Sequence, residues 1–246
     1  MYNTQEKILE QGVLEVAVPN VQSLSHEDYA LVRKDYLGAS DSSVICGVNL
    51  YKTVDQLIKE KNAKYITAEE KAVGEKPIVK KGYDLEPIIL DKAAAELCDD
   101  SSFMVKPDDM FKFKLVDGLS VNYDGVLIKN AKLYPVEAKL VSTYGEKYYN
   151  KTISFADAQE INMKVESTDL ISHIKKMSTK LGIPAYYYTQ VQQEIAGLNA
   201  DHGYLAALFD NSWTFKLYYI PRDDYVILNI YNKAEEIIKQ IKRDTH

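Results

Sequence analysis

One segment, LYPVEAKLVS at residues 133–142, limits the possible folds of this chain more than any other. Its apolar residues alternate from Tyr134 to Leu140, and this period of two predicts a β-strand with one packed face. The opposite face carries Glu137 and Lys139, because residues two apart on a strand point the same way. The two charges form either a solvent-facing ion pair or part of a functional cleft, and both interpretations stay open at this point.

The remaining patterns predict a mixed sheet flanked by helices, in a single α/β domain over residues 1–246. With 46% hydrophobic residues, the chain can bury a large core. The predicted strands, of which the first four form a meander, are 103–107, 110–116, 119–129, 132–142, 203–210 and 213–221. The predicted helices are 26–35, 54–62 after a Thr53 cap, 84–97 with Pro87 in its first turn, 184–199 and 223–242. The charged stretch 62–76 is expected to be a loop, and 143–183 a helical insertion or lid.

The charge balance and the cysteines exclude several classes of protein. The 30 basic and 36 acidic side chains give a net charge of −6, which argues against a protein that coats nucleic acid non-specifically. Cys46 and Cys98 are too few for a four-cysteine zinc or iron–sulfur site and are expected to be reduced thiols. The sequence shows no signal-peptide pattern and no run that approaches a membrane span, so a soluble cytoplasmic protein is expected.

Asp124 is a candidate partner for the charged strand. It precedes Glu137 by 13 residues (137 − 124), the span of a strand–turn–strand hairpin, so the two carboxylates can lie side by side. Clustered carboxylates repel each other unless a cation lies between them, and a divalent metal ion is the usual one. Lys139 would then lie near a metal-bound water, which it could orient. The alternative is a Glu–Lys ion pair with Asp124 as a turn residue.

Four stretches, in this order, resemble the YqaJ-type viral recombinases, a family that includes lambda-type exonuclease within the PD-(D/E)xK nuclease superfamily. They are YLGASDSSVICGVNLYKT (36–53), KKGYDLEPIILD (80–91), VNYDGVLI with LYPVEAKLVS (121–142), and IPAYYYTQVQQEIAGLNADHGYLAALFD (183–210). The resemblance implies a restriction-endonuclease-like core built on a central mixed β-sheet. The chain departs from the superfamily motif at Tyr123, which stands where that motif has proline.

The resemblance also implies a metal site that holds two ions of Mg²⁺ or Mn²⁺. The implied metal ligands are Asp124, Glu137, the Ala138 carbonyl and Glu86. Lys139 would position and activate the attacking water, and Gln190 would orient Lys139 or the nucleophile from the opposite side. Without the resemblance, Glu86 is equally explained as a carboxylate in the first turn of a helix, where the macrodipole favours it.

A second implied site is a pocket for the 5′-terminal phosphate of DNA, formed by Arg33 and Ser40 with Lys52. Arg33 alone would be an ordinary basic residue at a helix end. Lysines that would contact the DNA backbone and offset the acidic total are Lys80, Lys81, Lys112, Lys114 and Lys147. Gln192 and Gln193 are expected to be surface amides. The tyrosines at 186–188 either pack in the core, which is the favoured interpretation, or stack on bases.

The resemblance implies a metal-dependent exonuclease that resects linear double-stranded DNA from 5′ to 3′ for phage-type recombination. The implied partners are DNA ends, a single-strand annealing protein of the RecT type and further copies of the chain. Two alternatives stay open. One is an endonuclease of restriction or repair type on the same fold, and the other is a non-catalytic DNA-binding module on a nuclease scaffold.

Overall fold

The structure is a computed structural model that describes residues 4–149, 153–161 and 169–244. Within these ranges the strands are β1 (Leu14–Val18), β2 (Ser102–Val105), β3 (Met110–Phe113), β4 (Ser120–Val121), β5 (Gly125–Lys129), β6 (Lys132–Val141), β7 (His202–Phe209) and β8 (Thr214–Pro221). The helices are α1 (Thr4–Glu10), α2 (His26–Val32), α3 (Ser42–Ile45), α4 (Val54–Asn62), α5 (Ala68–Gly74), α6 (Pro77–Leu97), α7 (Thr143–Glu146), α8 (Phe155–Gln159), α9 (Leu170–Leu181), α10 (Ala185–Gly197) and α11 (Asp224–Asp244). None of these helices is long and apolar enough to cross a bilayer.

The main sheet has the strand order β2-β5-β6-β7-β8 in the described part of the chain. Strands β6 and β7 are parallel, with Glu137 opposite Leu205, and the other pairs are antiparallel. Helix α6 packs on one face, where Leu90 lies against Gly125, and α10 packs on the other, where Val191 lies against Gly203. The predicted fold class, a central mixed sheet flanked by helices, is therefore confirmed.

The predicted four-strand meander is wrong. The expected strand 119–129 is divided into β4 and β5, and these belong to different sheets. Strands β3 and β4 form a second sheet with β1, a strand that the sequence patterns did not indicate. The pairing of β1 with β3 joins residues about 100 positions apart, for example Leu14 with Phe113, so no local pattern could predict it.

The β5–β6 hairpin forms as predicted and determines the position of Asp124. Asn130 and Ala131 form its turn, and both have positive φ angles, 51° and 61°, as two-residue hairpin turns require. Gly125 pairs with Val136. Continuing this register by one residue brings Asp124 opposite Glu137 at the end of the hairpin.

Two predictions about helices are corrected. Helix α6 begins at Pro77, not near residue 84, so Pro87 lies inside the helix and not in its first turn. The helix tolerates Pro87 because its buried side, including Ile89 and Ala93, packs on the sheet and outweighs the lost hydrogen bond. The stretch 62–76, expected to be a loop, contains α5, which Thr67 caps by accepting the Glu70 N–H at 3.2 Å. Thr53 caps α4 as predicted.

Helix α10 is buried on almost every side, and this corrects a further prediction. Gln192 and Gln193 are completely buried, not surface amides. Gln192 donates to the Pro221 carbonyl at 2.8 Å, and Gln193 donates to the Ser120 carbonyl at 2.8 Å. These amides satisfy backbone groups of other elements, which explains why polar side chains lie in the core.

The single-domain prediction, with an insertion or lid over 143–183, stays a prediction. Helices α7, α8 and α9 lie in this segment, while residues 150–152 and 162–168 fall outside the described residues.

Candidate active site

Seven of the sequence-predicted site residues line one cavity of about 300 Å³, and Lys52 and Ala138 are not among its lining residues. Its lining includes Glu86, Asp124, Glu137, Lys139 and Gln190. The lining also includes Arg33, Gly38 and Ser40. Residues from α6, α10, the β5–β6 hairpin and the loop before α3 therefore line a single depression.

The hairpin holds its charged residues through one backbone bond and two ionic contacts. The Ala138 N–H donates to Asp124 Oδ2 at 3.0 Å, which orients this carboxylate across the hairpin. The Lys139 ammonium contacts the Glu137 carboxylate directly and lies 4.0 Å from Asp124 Oδ2. Glu137 is only 2% exposed, so the two residues form an ion pair whose carboxylate is buried in the cleft and does not face solvent, while a functional role of the pair stays a prediction.

The carboxylates carry more negative charge than this ion pair compensates. Burial, reinforced by the Asp124 carboxylate, raises the pKa of Glu137 to about 7. Burial alone would lower the pKa of the Lys139 ammonium. The negative charges of Glu137 and Asp124 outweigh burial, so the pKa of Lys139 lies well above its usual range. The ammonium therefore keeps its proton in this arrangement, and an additional cation would be attracted to the carboxylates.

Gln190 approaches Glu137 from α10. Its Nε2 donates to Glu137 Oε1 and, at 3.1 Å, to Glu194 Oε1. Glu194 is a buried carboxyl that the sequence reasoning missed. Burial, with Glu137 and Asp124 nearby, raises the pKa of Glu194 well above its usual range. Its position four residues after Gln190 on a helix is the signal that could have found it, because such residues share a face.

Glu86 lies in the cavity on the side of α6, and its carboxylate accepts a 2.6 Å contact from Lys106. Burial, followed by the Asp124 carboxylate, raises the pKa of Glu86. Lys106 was not a predicted site residue. It lies directly after β2, and only the pairing of β2 with β5 brings it to the cavity.

The donor set fits a hard divalent cation. Asp124, Glu137 and Glu86 supply carboxylate oxygens, the ligands that Mg²⁺ and Mn²⁺ prefer. As the side chains stand, no group of three or more His, Cys, Asp or Glu within the described ranges is arranged to hold a metal ion. The Lys139 and Lys106 ammonium groups instead contact these carboxylates. Burial, followed by the Asp124 carboxylate, raises the pKa values of Glu137 and Glu86, and a bound cation would favour the charged form of each carboxyl.

A second group of cavity-lining residues forms a polar pocket around Arg33. Arg33 Nη2 donates to Ser40 Oγ at 2.6 Å, and the guanidinium lies 5.8 Å from the centre of the Tyr29 ring. The turn that carries Ser40 is held by Asp41, whose Oδ2 accepts the Gly38 N–H at 3.0 Å. The arrangement presents a guanidinium and a hydroxyl together, a combination suited to a phosphate group.

A buried lysine supports this pocket from α4. Lys61 Nζ lies 2.9 Å from Asp41 Oδ2, and donates to the carbonyls of Arg33 at 2.9 Å and Tyr36 at 2.6 Å. Sequence reasoning missed both Lys61 and Asp41, because the bonds join residues 20 to 28 positions apart. One ammonium thus joins the carboxylate and two carbonyls that shape the pocket.

Lys52 does not line the cavity, because its ammonium pairs with Glu60 on α4. Of the lysines expected along the DNA backbone, Lys81 pairs with Asp210, and Lys112 lies 3.0 Å from Glu15. These lysines are therefore partly neutralised by neighbouring acidic residues.

The comparisons with known proteins concern the fold and the family of the chain. A crystal structure of the alkaline exonuclease LHK-Exo from Laribacter hongkongensis matches with a TM-score of 0.58 and 15% identity, over 89% of this chain and 93% of that one. The structure of LHK-Exo in complex with dAMP matches with the same values. At this identity the likeness shows the fold alone. No curated protein has a matching sequence. The model of the YqaJ-like viral recombinase domain matches residues 28–199, more than half of the chain, and the chain therefore belongs to this family.

Proposed function

We propose that this protein is a metal-dependent exonuclease that degrades linear double-stranded DNA from the 5′ end. The observation that carries the proposal is the single cavity, which joins a carboxylate–lysine cluster to the Arg33–Ser40 pocket. The first group suits phosphodiester hydrolysis, and the second suits recognition of a terminal phosphate. Family membership supports the same reading, as does the fold shared with an alkaline exonuclease that has been solved with dAMP.

Asp124 and Glu137, with the Ala138 carbonyl and Glu86, are the residues that would hold Mg²⁺ or Mn²⁺. When bound, the metal would supply Lewis-acid polarisation of the phosphate and activation of water. Glu86 would exchange its contact with Lys106 for this role, since both groups lie at the cavity.

The chain's own residues would position the substrate and stabilise charge. Lys139 keeps its proton, so we assign it to orienting the water and stabilising the negative charge that develops on the phosphate, not to removing a proton. Gln190 holds the Glu137 carboxylate through its amide. Arg33 and Ser40 would bind the 5′-phosphate that each hydrolysis leaves on the shortened strand, and so reset the enzyme for the next cycle.

The test uses linear duplexes with and without a 5′-phosphate, labelled at either the 5′ or the 3′ end, incubated with Mg²⁺ or Mn²⁺. We expect loss of the 5′-labelled nucleotide first, a preference for the phosphorylated end, and no reaction with a chelator. Lys139→Ala and Asp124→Ala should each abolish degradation while the protein stays folded. Lys132→Ala is the matched control, because Lys132 lies at the far end of β6 and pairs with the exposed Asp201.

The same assay separates the proposal from its alternatives. Cleavage of a covalently closed circle would favour an endonuclease, since a circle has no end. Full activity in Lys139→Ala or Asp124→Ala would remove the site assignment. If calorimetry detects no binding of Mg²⁺ or Mn²⁺, a non-catalytic DNA-binding module becomes the better explanation.

The proposed reaction leaves a 3′-ended single strand, which is the substrate of single-strand annealing proteins of the RecT type. We therefore include such a protein among the proposed partners, together with self-association of the chain. Pull-down with a RecT-type protein and sedimentation of the purified protein test these two points separately.

A further inference from the structure

A patch of tyrosines lies beside the catalytic lysine. We define the tyrosine patch as Tyr51, Tyr148, Tyr186 and Tyr187. The Lys139 ammonium lies 5.6 Å from the centre of the Tyr187 ring, and the Tyr186 ring packs edge-on against Tyr187 with centres 4.5 Å apart. The patch therefore begins at the candidate site and extends away from it along the start of α10.

Two loops bring the outer members of the patch to this position. Tyr51 follows Asn49, whose side-chain oxygen accepts the Tyr51 N–H at 2.8 Å and so fixes the backbone there. Tyr51 lies within electrostatic range of both Tyr186 and Tyr187 and, after burial, contributes to raising the pKa of each. Tyr148 acts on the pKa of Tyr186 in the same way.

The position of Tyr148 is fixed by its buried neighbour. Tyr149 packs against Phe209 at 5.3 Å and Tyr218 at 5.8 Å between ring centres. Tyr148 is left at the surface, with the Lys147 ammonium 5.0 Å from the centre of its ring. The Tyr148 ring and the Lys147 ammonium therefore lie together. Such a pair can bind a nucleotide, because the ring can stack on the base and the ammonium can contact the negatively charged backbone.

The members of the patch differ from the neighbouring core tyrosine. Tyr188 is completely buried and donates to Asp223 at 2.7 Å, so its role is structural. Tyr51, in contrast, is 79% exposed, and Tyr148 is 37% exposed. Single exposed aromatic residues are common on soluble proteins, but here the Tyr186 and Tyr187 rings pack together beside Lys139, and Tyr149, the neighbour of Tyr148, lies 6.4 Å from Tyr187 between ring centres.

We propose that the tyrosine patch binds nucleobases of the cleaved strand next to the scissile phosphate, by stacking on its exposed rings. The inference rests on the proposed function, because it takes the phosphodiester to lie at Lys139. Aromatic rings stack on any base, so such a subsite would hold the strand in place without selecting a sequence. The patch is continuous with the site through the contact between Lys139 and Tyr187.

The experiment compares Tyr51→Ala, Tyr51→Leu and Tyr51→Phe in steady-state degradation of a 5′-phosphorylated linear duplex. We expect Ala and Leu to raise KM at least about fivefold, the effect of losing one base–aromatic stack, and Phe to retain the wild-type value because it keeps the ring. Tyr65→Ala is the matched control, since Tyr65 is also 79% exposed but is not part of the patch. Melting temperatures check that each variant is folded.

A second substrate identifies the base as the ligand. For the wild type, KM should be higher on a duplex with abasic nucleotides at its 5′ end than on the intact duplex. For Tyr51→Ala the two KM values should be nearly equal, because this variant has already lost the stack. Equal abasic effects in both proteins would overturn the proposal, and so would a wild-type KM in Tyr51→Ala. A Tyr51→Phe variant as weak as Tyr51→Ala would also overturn it, because the hydroxyl would then be the important group.

A binding readout separates this proposal from the proposed function. A duplex that carries 2-aminopurine in its terminal nucleotides is titrated with wild type and Tyr51→Ala in a chelator, where no cleavage is expected. Stacking on the patch predicts stronger fluorescence quenching by the wild type. If the wild type quenches more strongly than Tyr51→Ala but has no nuclease activity, the proposed function is refuted and the base-binding surface is supported. If the wild type is an active nuclease but both proteins quench equally, the base-binding surface is refuted and the proposed function is supported.

Discussion

Replacing Lys61 with methionine tests whether the proposed terminal-phosphate pocket around Arg33 depends on a buried ion pair. The Lys61 and Asp41 side chains are only 8% and 9% exposed, and the ammonium also satisfies two backbone carbonyls. Methionine keeps much of the side-chain volume but leaves the Asp41 carboxylate buried with one cationic neighbour fewer. Breaking a buried pair in this way costs about 3–5 kcal/mol. For a chain of this size that lowers the melting temperature by about 6–20 °C.

The assay is thermal unfolding of Lys61→Met, Asp41→Asn and the double variant. Lys59→Met is the matched control, because Lys59 is an exposed lysine on the same helix, α4, and should lose less than about 0.5 kcal/mol. The double variant should be more stable than the sum of the two single losses predicts, because the two side chains interact directly. Additive losses, or a Lys61→Met variant as stable as the control, would refute the buried-pair reasoning.

A functional measurement accompanies the unfolding. Lys61 bonds the Arg33 carbonyl, so its loss should weaken the preference for a 5′-phosphorylated end more than it slows turnover on a duplex that lacks the phosphate. The ratio of kcat/KM for the two substrates measures this. An unchanged ratio in the folded variant would mean that Lys61 stabilises the fold without shaping the pocket.

The remaining predictions concern the core, the candidate site and the pH dependence of stability. Gly197→Ala should lower the free energy of unfolding, measured by thermal unfolding, by about 1–3 kcal/mol, because the added Cβ would lie 2.3 Å from the Tyr123 hydroxyl oxygen. Gln193→Ala should lower the free energy of unfolding by about 1–3 kcal/mol, since it removes the buried amide that donates to the Ser120 carbonyl and accepts from the Ser42 hydroxyl. Gln190→Ala should instead reduce nuclease turnover with a smaller loss of stability. Burial alone would raise the pKa of the Asp41 carboxyl, but the positive charges of Lys61 and Arg33 outweigh burial and lower this pKa. The Asp41 carboxylate therefore stabilises the fold above about pH 3.8, the pKa of a free Asp, and this stabilisation is lost as the pH falls through the lower pKa of the folded state. Asp41→Asn should lack this part of the acid sensitivity, measured by unfolding at about pH 6 and about pH 3.

The β5–β6 hairpin was the part of the candidate site most accessible from the sequence. Its two strands are neighbours in the chain, and alternation indicates which side chains of a strand share a face. The register of β5 and β6 depends on a two-residue turn, so Asp124 reaches Glu137 through local structure alone. Thr53 could be predicted as a cap for a similar reason, because its bond reaches only to the third residue of the following helix.

Contacts between distant parts of the chain were not accessible in this way. Nothing in the sequence around Gln192 and Gln193 distinguishes them from surface amides, and they are buried because α10 is enclosed by other elements. Lys61 and Lys106 look like ordinary surface lysines in the sequence. The fold brings Lys61 to Asp41 in the proposed phosphate pocket and Lys106 to Glu86.

The sequence by itself determined the local features of this protein: the alternating strand with Glu137 and Lys139, the hairpin that adds Asp124, and the order of motifs shared with the YqaJ-like family. Only the tertiary structure decided which polar residues belong to the cavity and which serve the core. The physical reason is that the energy of a charge depends on its burial and its partners, and both are set by elements far apart in the chain.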